Sequence, residues 1–420
     1  MPFIDRVAAR LFCWLTYRRL TAQAVVLCSL FWAAAAFDFS TPGVMDHAGN
    51  VKFQDFLQFY VGAMLVQQGQ ADQLFDWQIA RDQMHQIAPQ WPYALPMVYG
   101  PQVALAFSPF SRLSFLAAAT LWVMIASGIY FVCCYTTWKV CPQLSGYRRL
   151  FWLLALAYPP FFGVVIRGQI SALVVACFTV AYFAWRSHRP WIAGIALGCL
   201  VFKPQFLVAI PIVFLLARAW TEFFATVLSA GAQLGLSWLR FGTSVMREYV
   251  ATLVHLPKLV AATETDKAHA LMHSLRSFWT LLIPSRDLAL ALYLISALAV
   301  FGLTIRSWTS AGPLSLRFTA LVVCATLVNP HLFVYDLLAL SPALIVLADW
   351  ILAETNSAPD ATRHKLACAA YGAYLLPLLG LLTLVTHFQF SVVAIVWLLW
   401  EVSKMLRPAP AVDNLQMAHM

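Results

Sequence analysis

The sequence predicts an all-α protein that crosses a membrane many times. Of its 420 residues, 61% are hydrophobic and only 11% are charged, whereas a soluble globular protein carries roughly 25% charged residues. The apolar residues form continuous runs, not the short alternating segments of a membrane β-barrel. So few charges cannot cover a surface in water, which excludes a soluble enzyme, a disordered chain and a coiled coil.

The apolar runs predict the helices in order. They fall at about 21–37, 114–137, 150–165, 170–185, 191–202, 205–217, 221–238, 288–305, 318–329, 333–349, 366–386 and 390–405. Several are shorter than the ~20 residues that span a bilayer, and prolines separate some of them, which indicates broken helices around a cavity. We therefore expect one integral membrane domain, residues 1–407, with about twelve (ten to thirteen) transmembrane or broken helices.

The basic residues predict the orientation of these helices. Arg18, Arg148 and Arg306 are examples of cations that lie beside helix ends on one side, and such clusters mark cytoplasmic loops. Both termini are then cytoplasmic, and residues 408–420 form a loose cytoplasmic tail. This distribution also explains the net charge of +9, so we expect a lipid bilayer and no nucleic acid as a partner.

Two long loops, about 38–113 and 239–287, lie on the outer side in this topology. The first contains a predicted amphipathic helix over 53–66, which Gly69 ends. Its apolar residues share one face at helical spacing: Phe56, Phe59, Tyr60, Ala63 and Met64. We expect this helix to lie in the outer membrane interface with the aromatic face towards lipid. A second, more polar helix is predicted at Trp77–Ile87.

Asp55 is the first candidate for a chemical role, because it opens the predicted interfacial helix between Phe53 and Phe56. A carboxylate next to apolar groups is poorly solvated, which makes it a better base. The alternative is a helix N-terminal acid that the helix dipole favours.

Four cationic or titratable residues are predicted at the same outer depth. Arg167 lies in a tight turn, Lys203 interrupts an apolar hairpin, Arg276 lies in the second long loop, and His331 follows Asn329-Pro330. If they converge, they form an anion site suited to a phosphate; the alternative is a set of separate snorkelling side chains. Asp336 is expected to neutralise Lys203 or Arg167. Phosphate-loop, dinucleotide and zinc motifs are absent, as is a paired Asp-x-Asp, so no cofactor and no metal site are predicted.

Several segments together resemble glycosyltransferase family 87, whose members are GT-C fold membrane enzymes that use sugars carried on polyprenyl phosphate. The similar segments, in chain order between about 50 and 345, are Asp55-Phe-Leu-Gln-Phe-Tyr60 with Gly69 and Leu74-Phe75-Asp76, Tyr99-Gly-Pro101 with Pro109, Gly168-Gln169, Phe202-Lys203-Pro204, and Asn329-Pro330-His331 with Tyr335-Asp336. The chain departs from the family at Phe59 and Phe75, where tyrosine is expected, and at Gly100, where proline is expected.

The resemblance implies an inverting hexosyltransferase, such as a mannosyltransferase, in a bacterial inner membrane with its active site facing outward. The donor would be a polyprenyl-phosphate-linked sugar and the acceptor a lipid or a glycan. Asp55 matches the family's catalytic aspartate and His331 the histidine near the donor phosphate; Lys203, Arg167 and Arg276 are expected to assist there. The expected substrate-pocket residues are Tyr60, Asp76, Tyr99, Gln169 and Asp336.

Two other classes of function fit the same residues. A transporter or lipid flippase also has broken helices and buried charges, but it predicts a twofold internal repeat that the sequence lacks. A structural membrane protein would leave Asp55, Lys203 and His331 scattered. The positions of these three side chains therefore distinguish the classes.

Overall fold

The predicted all-α class is confirmed. The computed structural model describes residues 3–95, 97–263, 269–353 and 359–406, and within these ranges the chain forms helices and loops without a β-strand. Two isolated bridges occur, Met45 with Val51 and Met272 with Phe333. The predicted tail over 408–420 lies outside the described residues.

The first half of the chain begins with a short helix that the sequence did not indicate and continues into a long apolar one. These helices are α1 (Phe3–Trp14), α2 (Tyr17–Asp38), α3 (Phe56–Gln67), α4 (Trp77–Ile87), α5 (Pro101–Phe107), α6 (Phe115–Lys139), α7 (Arg148–Leu156), α8 (Pro159–Arg167), α9 (Ser171–Arg186), α10 (Pro190–Gly198), α11 (Pro204–Leu207) and α12 (Ala209–Leu216). Short 3₁₀ segments connect several of them.

The second half begins with one long helix that changes direction at Gly242, whose φ of 81° is not helical. Its helices are α13 (Trp220–Thr263), α14 (Leu275–Leu282), α15 (Arg286–Trp308), α16 (Leu314–Leu327), α17 (Ser341–Leu352), α18 (Asp360–Leu375), α19 (Gly380–Thr386) and α20 (Phe390–Met405). A 3₁₀ segment, Val334–Leu340, leads into α17. The region predicted as a second long loop is therefore largely helical where it is described.

The helices define a multi-pass membrane protein. Within the described residues, five helical stretches are long and apolar enough to cross a bilayer: 17–38, 115–139, 286–308, 334–352 and 360–386. A sixth is possible if the segments Pro142–Leu156 and Pro159–Arg167, bent by 43°, form one broken span. Large apolar side chains such as Leu30 and Leu298 are exposed on the long helices, as expected of surfaces that contact lipid. The count of about twelve crossings stays a prediction.

The first long loop, residues 38–113, is folded into helices that pack within the protein. Gly69 ends α3 as predicted: it has a φ of 76°, and the N–H groups of Gly69 and Gln70 donate to the carbonyls of Val66 and Leu65, which is a Schellman motif. Helix α4 has the predicted bounds, Trp77–Ile87, and the Asp76 side chain caps its first turn.

The expectation that α3 turns an aromatic face towards lipid is wrong. Phe56, Phe59 and Tyr60 are buried, and so are Leu57 and Val61 on the other side of the helix. Gln58, the polar residue near the start of the helix, is buried too. A helix that is buried on every side lies inside a protein, not at an interface. The predicted placement of α3 as an interfacial helix is therefore not supported by its surroundings.

Two apolar cores meet at the segment Val334–Leu340. One core, rich in aromatic rings, surrounds α3, α5 and α6; the other surrounds α9, α12 and α16. Leu337 belongs to the second core and Leu338 to the first. Polar side chains on this segment consequently lie between two water-poor regions, where each needs a partner.

Candidate active site

Asp55 lies where two tight turns contact each other. Its backbone N–H donates to the Arg167 carbonyl (3.0 Å), and its carboxylate accepts a hydrogen bond from Gln169 Nε2 at Oδ2 (2.8 Å). Arg167 Nη1 is 3.8 Å from Asp55 Oδ1. The Asp55 side chain is nearly buried, whereas the Arg167 side chain is 41% exposed. Gln169 therefore gives this carboxylate a hydrogen-bond donor, and Arg167 gives it a nearby cation without a close ion pair.

Gly168 allows the two turns to approach so closely. It ends α8 in the left-handed conformation, with a φ of 67°, and a Cβ at this position would lie 2.7 Å from Phe56 Cβ and 3.1 Å from Phe53 Cβ. Phe53 itself has a φ of 55°, which is uncommon for a residue with a side chain. The contact between Asp55 and Gln169 thus depends on the absence of a side chain at 168.

We expect Gly168→Ala to lower both stability and sugar transfer. The new Cβ would have to displace the start of α3, and left-handed backbone costs an alanine about 1–2 kcal/mol. A shift of about 1 Å between Asp55 and its partners can reduce turnover on the order of 100-fold. Melting temperature in detergent and a transfer assay would measure the two effects.

Two other glycines separate the causes of this effect. Gly69 also has a positive φ, but a Cβ there would meet nothing within 4 Å, so Gly69→Ala reports backbone strain alone. Gly128 has neither feature and serves as the neutral control. If Gly168→Ala and Gly69→Ala reduce activity equally, the proposed close contact with Phe56 is not what matters.

Tyr99 is a buried residue that lies next to Gln169, the partner of Asp55. Its hydroxyl is within hydrogen-bonding reach of the Gln169 side chain. Burial, together with the negative charges of Asp336 and Asp55, raises the pKa of Tyr99 well above its usual value. The hydroxyl is therefore protonated and can act as a donor near both carboxylates. The same two negative charges act on the buried Tyr335, so the Asp55 and Asp336 sites are neighbours.

Lys203 and Asp336 form a buried ion pair in this second part of the site. Lys203 is 0% and Asp336 2% exposed, and the Lys203 ammonium contacts Asp336 Oδ1 directly. Ser171 Oγ donates to the same oxygen (2.9 Å) and accepts from Lys203 Nζ (2.9 Å). The other oxygen, Oδ2, accepts from the Phe333 N–H (3.3 Å). This pairing agrees with the expectation that Asp336 neutralises a cation.

His331 is connected to the ion pair through aromatic rings. Its ring is 5.0 Å from the Phe333 ring, which is 5.6 Å from that of Tyr335, and Lys203 Nζ lies 5.3 Å above the Tyr335 ring. The backbone N–H of His331 donates to Asn329 Oδ1 (2.9 Å). His331 therefore lies in the segment that leads to Asp336, close to the buried pair.

The second long loop is fixed beside this turn by a buried histidine. The His273 N–H donates to the Leu332 carbonyl (2.8 Å), and its Nδ1 is 2.7 Å from Ser391 Oγ. Burial lowers the pKa of His273 to about 4, so the ring is neutral near pH 7. This anchoring brings the start of α14 to the end of the bundle that carries Asp55.

Three predicted site residues, Tyr60, Asp76 and Arg276, make their polar contacts away from both Asp55 and the Lys203–Asp336 pair within the described ranges. The Tyr60 hydroxyl donates to the Leu113 carbonyl (2.7 Å), and Asp76 caps α4 by accepting from the N–H groups of Gln78 and Ile79. Arg276 lies on α14, where its charge acts on Tyr293. Their predicted roles in the substrate pocket and at the donor phosphate rest on the sequence alone.

Ser171 and Tyr335 belong to the centre but were not among the predicted site residues. Tyr335 had been noted only as part of a motif. Ser171 follows Gln169 by two residues and begins α9, and this proximity was the one available signal. A serine at the first position of a helix is common, so its identity alone does not indicate contact with a buried lysine.

The fold and the site define a class: an all-α multi-pass membrane protein with ionisable side chains gathered at one end of the bundle. A family model sharpens this class. The model of glycosyltransferase family 87 matches residues 97–342, which is more than half of the chain. The protein belongs to glycosyltransferase family 87, and the resemblance found in the sequence is confirmed.

The matched range includes Tyr99, Arg167, Gln169, Lys203 and Asp336, whereas Asp55 precedes it. No curated protein and no solved structure matches the chain. The link between Asp55 and the family segment is therefore the contact with Arg167 and Gln169 described above.

Proposed function

We propose that this glycosyltransferase moves a hexose, such as mannose, from a polyprenyl-phosphate donor to a lipid or glycan acceptor with inversion at the anomeric carbon. The observation that carries the proposal is the position of Asp55, which is held beside Arg167 and Gln169 and next to the Lys203–Asp336 pair. One base and adjacent cations are what such a transfer requires. Family membership favours a transferase over a transporter or flippase.

Asp55 would act as the general base. A sugar phosphate already has a good leaving group, so the main proton transfer is removal of the acceptor hydroxyl proton during attack. Gln169 donates to Oδ2, which orients the carboxylate, and Oδ1 remains for the acceptor proton. The attacking oxygen would approach the anomeric carbon opposite the phosphate, so the new bond has the inverted configuration.

Arg167 would be the first contact of the departing phosphate, because its guanidinium is the partly exposed cation at the site. Donors that wait where negative charge develops stabilise a transition state. Lys203 would stabilise the negative charge of the phosphate from inside the protein without contacting the solvent, since it is fully buried and already paired with Asp336. His331 and Arg276 are proposed to complete the phosphate site from the neighbouring turn and from α14.

The proposed orientation places the Asp55 site at the outer face of the cell membrane. The turns that carry Asp55, Arg167, Lys203 and His331 follow helices that run outward if both termini are cytoplasmic. Cations at the opposite helix ends, including Lys139 and Arg306, support this direction. A bacterial inner membrane with a periplasmic active site is the proposed location.

The purified protein is expected to release polyprenyl phosphate from at least one polyprenyl-phosphate hexose when acceptor lipids or glycans are present. The product should have the inverted anomeric configuration, because a single displacement occurs at the sugar. Mass spectrometry of the lipids and NMR of the product would measure both results with donors that carry mannose, glucose, galactose or N-acetylglucosamine.

Proteoliposomes distinguish the alternative. A flippase would move the labelled donor between leaflets with the sugar–phosphate bond intact, whereas the proposed enzyme cleaves that bond. Translocation without cleavage for every donor would refute the transferase assignment, and retention of configuration would refute the single displacement by an Asp55-activated acceptor.

A further inference from the structure

A second polar centre lies in the first outer loop, beside the residue that precedes Asp55. It is a cavity of about 540 Å³, within the range of roughly 300–1,000 Å³ that is usual for small-molecule sites. Three aromatic rings and three polar side chains are prominent in its wall: Trp77, Trp91, Tyr93, Asn50, Gln54 and Arg81. The site built from Asp55, Lys203 and Asp336 uses none of these side chains.

The cavity wall carries polar side chains that have no partner in the protein. In the described ranges the side chains of Asn50, Gln54 and Arg81 form no hydrogen bond or ion pair with the protein, and all three line the cavity. Nothing within the fold uses these donors, which points to a ligand rich in oxygen.

The aromatic rings restrict the kind of ligand further. The Trp91 and Tyr93 rings are 6.0 Å apart and nearly perpendicular, and Trp77 and Tyr93 are partly exposed. Aromatic side chains offer an apolar face and a polar edge. A sugar ring is complementary to both, because it has C–H groups on its faces and hydroxyl groups around its edge. A lipid tail would leave the donors unpaired, and a cation would meet Arg81.

We propose that this cavity binds the carbohydrate part of the acceptor, so the acceptor is a saccharide or a glycolipid and not a lipid without sugar. This inference rests on the proposed function, because Gln54 links the cavity to Asp55 through one peptide bond. A sugar held by Trp77, Trp91 and Tyr93 would present its hydroxyl to Asp55 from the loop side, with the donor phosphate on the side of Arg167.

Saturation-transfer NMR tests the binding directly. The full-length protein, in a detergent without a sugar headgroup, is mixed with the methyl glycosides of four disaccharides. These consist of mannose, glucose, galactose or N-acetylglucosamine. At least one probe should show saturation transfer. Tyr93→Ala and Trp77→Ala should each weaken it about fivefold or more, because one stacking contact is lost. Absence of saturation transfer from every probe would overturn the proposal.

Control variants separate this proposal from the catalytic one. Tyr135→Ala removes an exposed aromatic ring from α6, far along the helix from the loop, and should leave binding unchanged. Asp55→Asn should bind the saccharide normally while transfer is lost; if it transfers sugar normally, only the proposed catalytic role fails. If Tyr93→Ala and Trp77→Ala both bind as well as the unmodified protein, the cavity is not the saccharide site.

In a transfer assay the same two variants should raise the acceptor KM and leave the donor KM unchanged. A purely structural effect of these substitutions would alter both constants and lower the melting temperature. An unchanged acceptor KM in both variants would also contradict the proposal.

Discussion

Asp55→Asn is expected to reduce sugar transfer by on the order of 10²–10⁴-fold, which is the usual contribution of a general base. Asparagine has nearly the same shape and can still accept the hydrogen bond that Gln169 donates to Oδ2. It cannot take the proton of the acceptor hydroxyl. Initial rates with a polyprenyl-phosphate sugar, compared between the variant and the unmodified protein, measure the effect.

A matched acid in the same loop provides the control. Asp72 is exposed, lies in the short segment Ala71–Gln73, and makes no ion pair in the described part of the chain, so Asp72→Asn should retain the full rate. Asp55→Asn should also keep its melting temperature in detergent and its affinity for polyprenyl phosphate, since Arg167 and Lys203 remain. A transfer rate near that of the unmodified protein would exclude Asp55 as the base.

The fold was predictable wherever the signal is local. The bounds of α4 follow from the capping acid Asp76, and the end of α3 follows from Gly69, because caps depend on a few consecutive residues. The long apolar runs predicted most of the other helices. Helix α13, however, extends to Thr263, well beyond the run at 221–238, and α14 lies in a region predicted as a loop. Helix α1 was missed because it is short and because Asp5, Arg6 and Arg10 interrupt its apolar residues.

The surroundings of α3 were not predictable from one face of the helix. Phe56, Phe59 and Tyr60 have the spacing of a lipid-contacting stripe, but protein interior and lipid are both apolar, so the same stripe fits either. The opposite face gave no clear signal either, because it combines Leu57 and Val61 with Gln58. A polar side of that kind is what a helix in an interface needs, yet Gln58 is buried as well.

The charged residues of the candidate site were predictable, and Lys203 was one of two expected partners of Asp336, but the contact between Asp55 and Gln169 was not expected. Scarcity of charge pointed to Asp55, Lys203 and Asp336, because ionisable groups in such a chain are costly. Asp55 and its partner Gln169 are 114 positions apart, and Lys203 and Asp336 are 133 apart. Contacts at such separations depend on the packing of whole helices, which the local sequence does not show.

The Lys203–Asp336 pair should show the largest effect on stability. Replacing Lys203 with methionine leaves a buried carboxylate with only Ser171 and the Phe333 N–H as donors, and Asp336→Asn leaves a buried ammonium. Removing one partner of a buried ion pair typically costs about 3–5 kcal/mol. Each single variant should therefore unfold at a distinctly lower temperature in detergent.

The double variant, with Lys203→Met and Asp336→Asn together, should recover most of the lost stability, because no buried charge remains without a partner. The surface pair between Arg363 and Asp360, which are 4.0 Å apart with the aspartate side chain 86% exposed, is the control. Asp360→Asn should cost at most about 1 kcal/mol, since water screens exposed pairs.

Transfer by the double variant decides what the pair does. If Lys203 supplies charge to the departing phosphate, the refolded double variant stays inactive, with an increased donor KM. If the pair only holds Val334–Leu340 against α9, transfer returns together with stability. A double variant that is both stable and fully active would remove Lys203 from the phosphate site and leave Arg167 as the cation nearest to Asp55, because 3.8 Å separates their charged atoms.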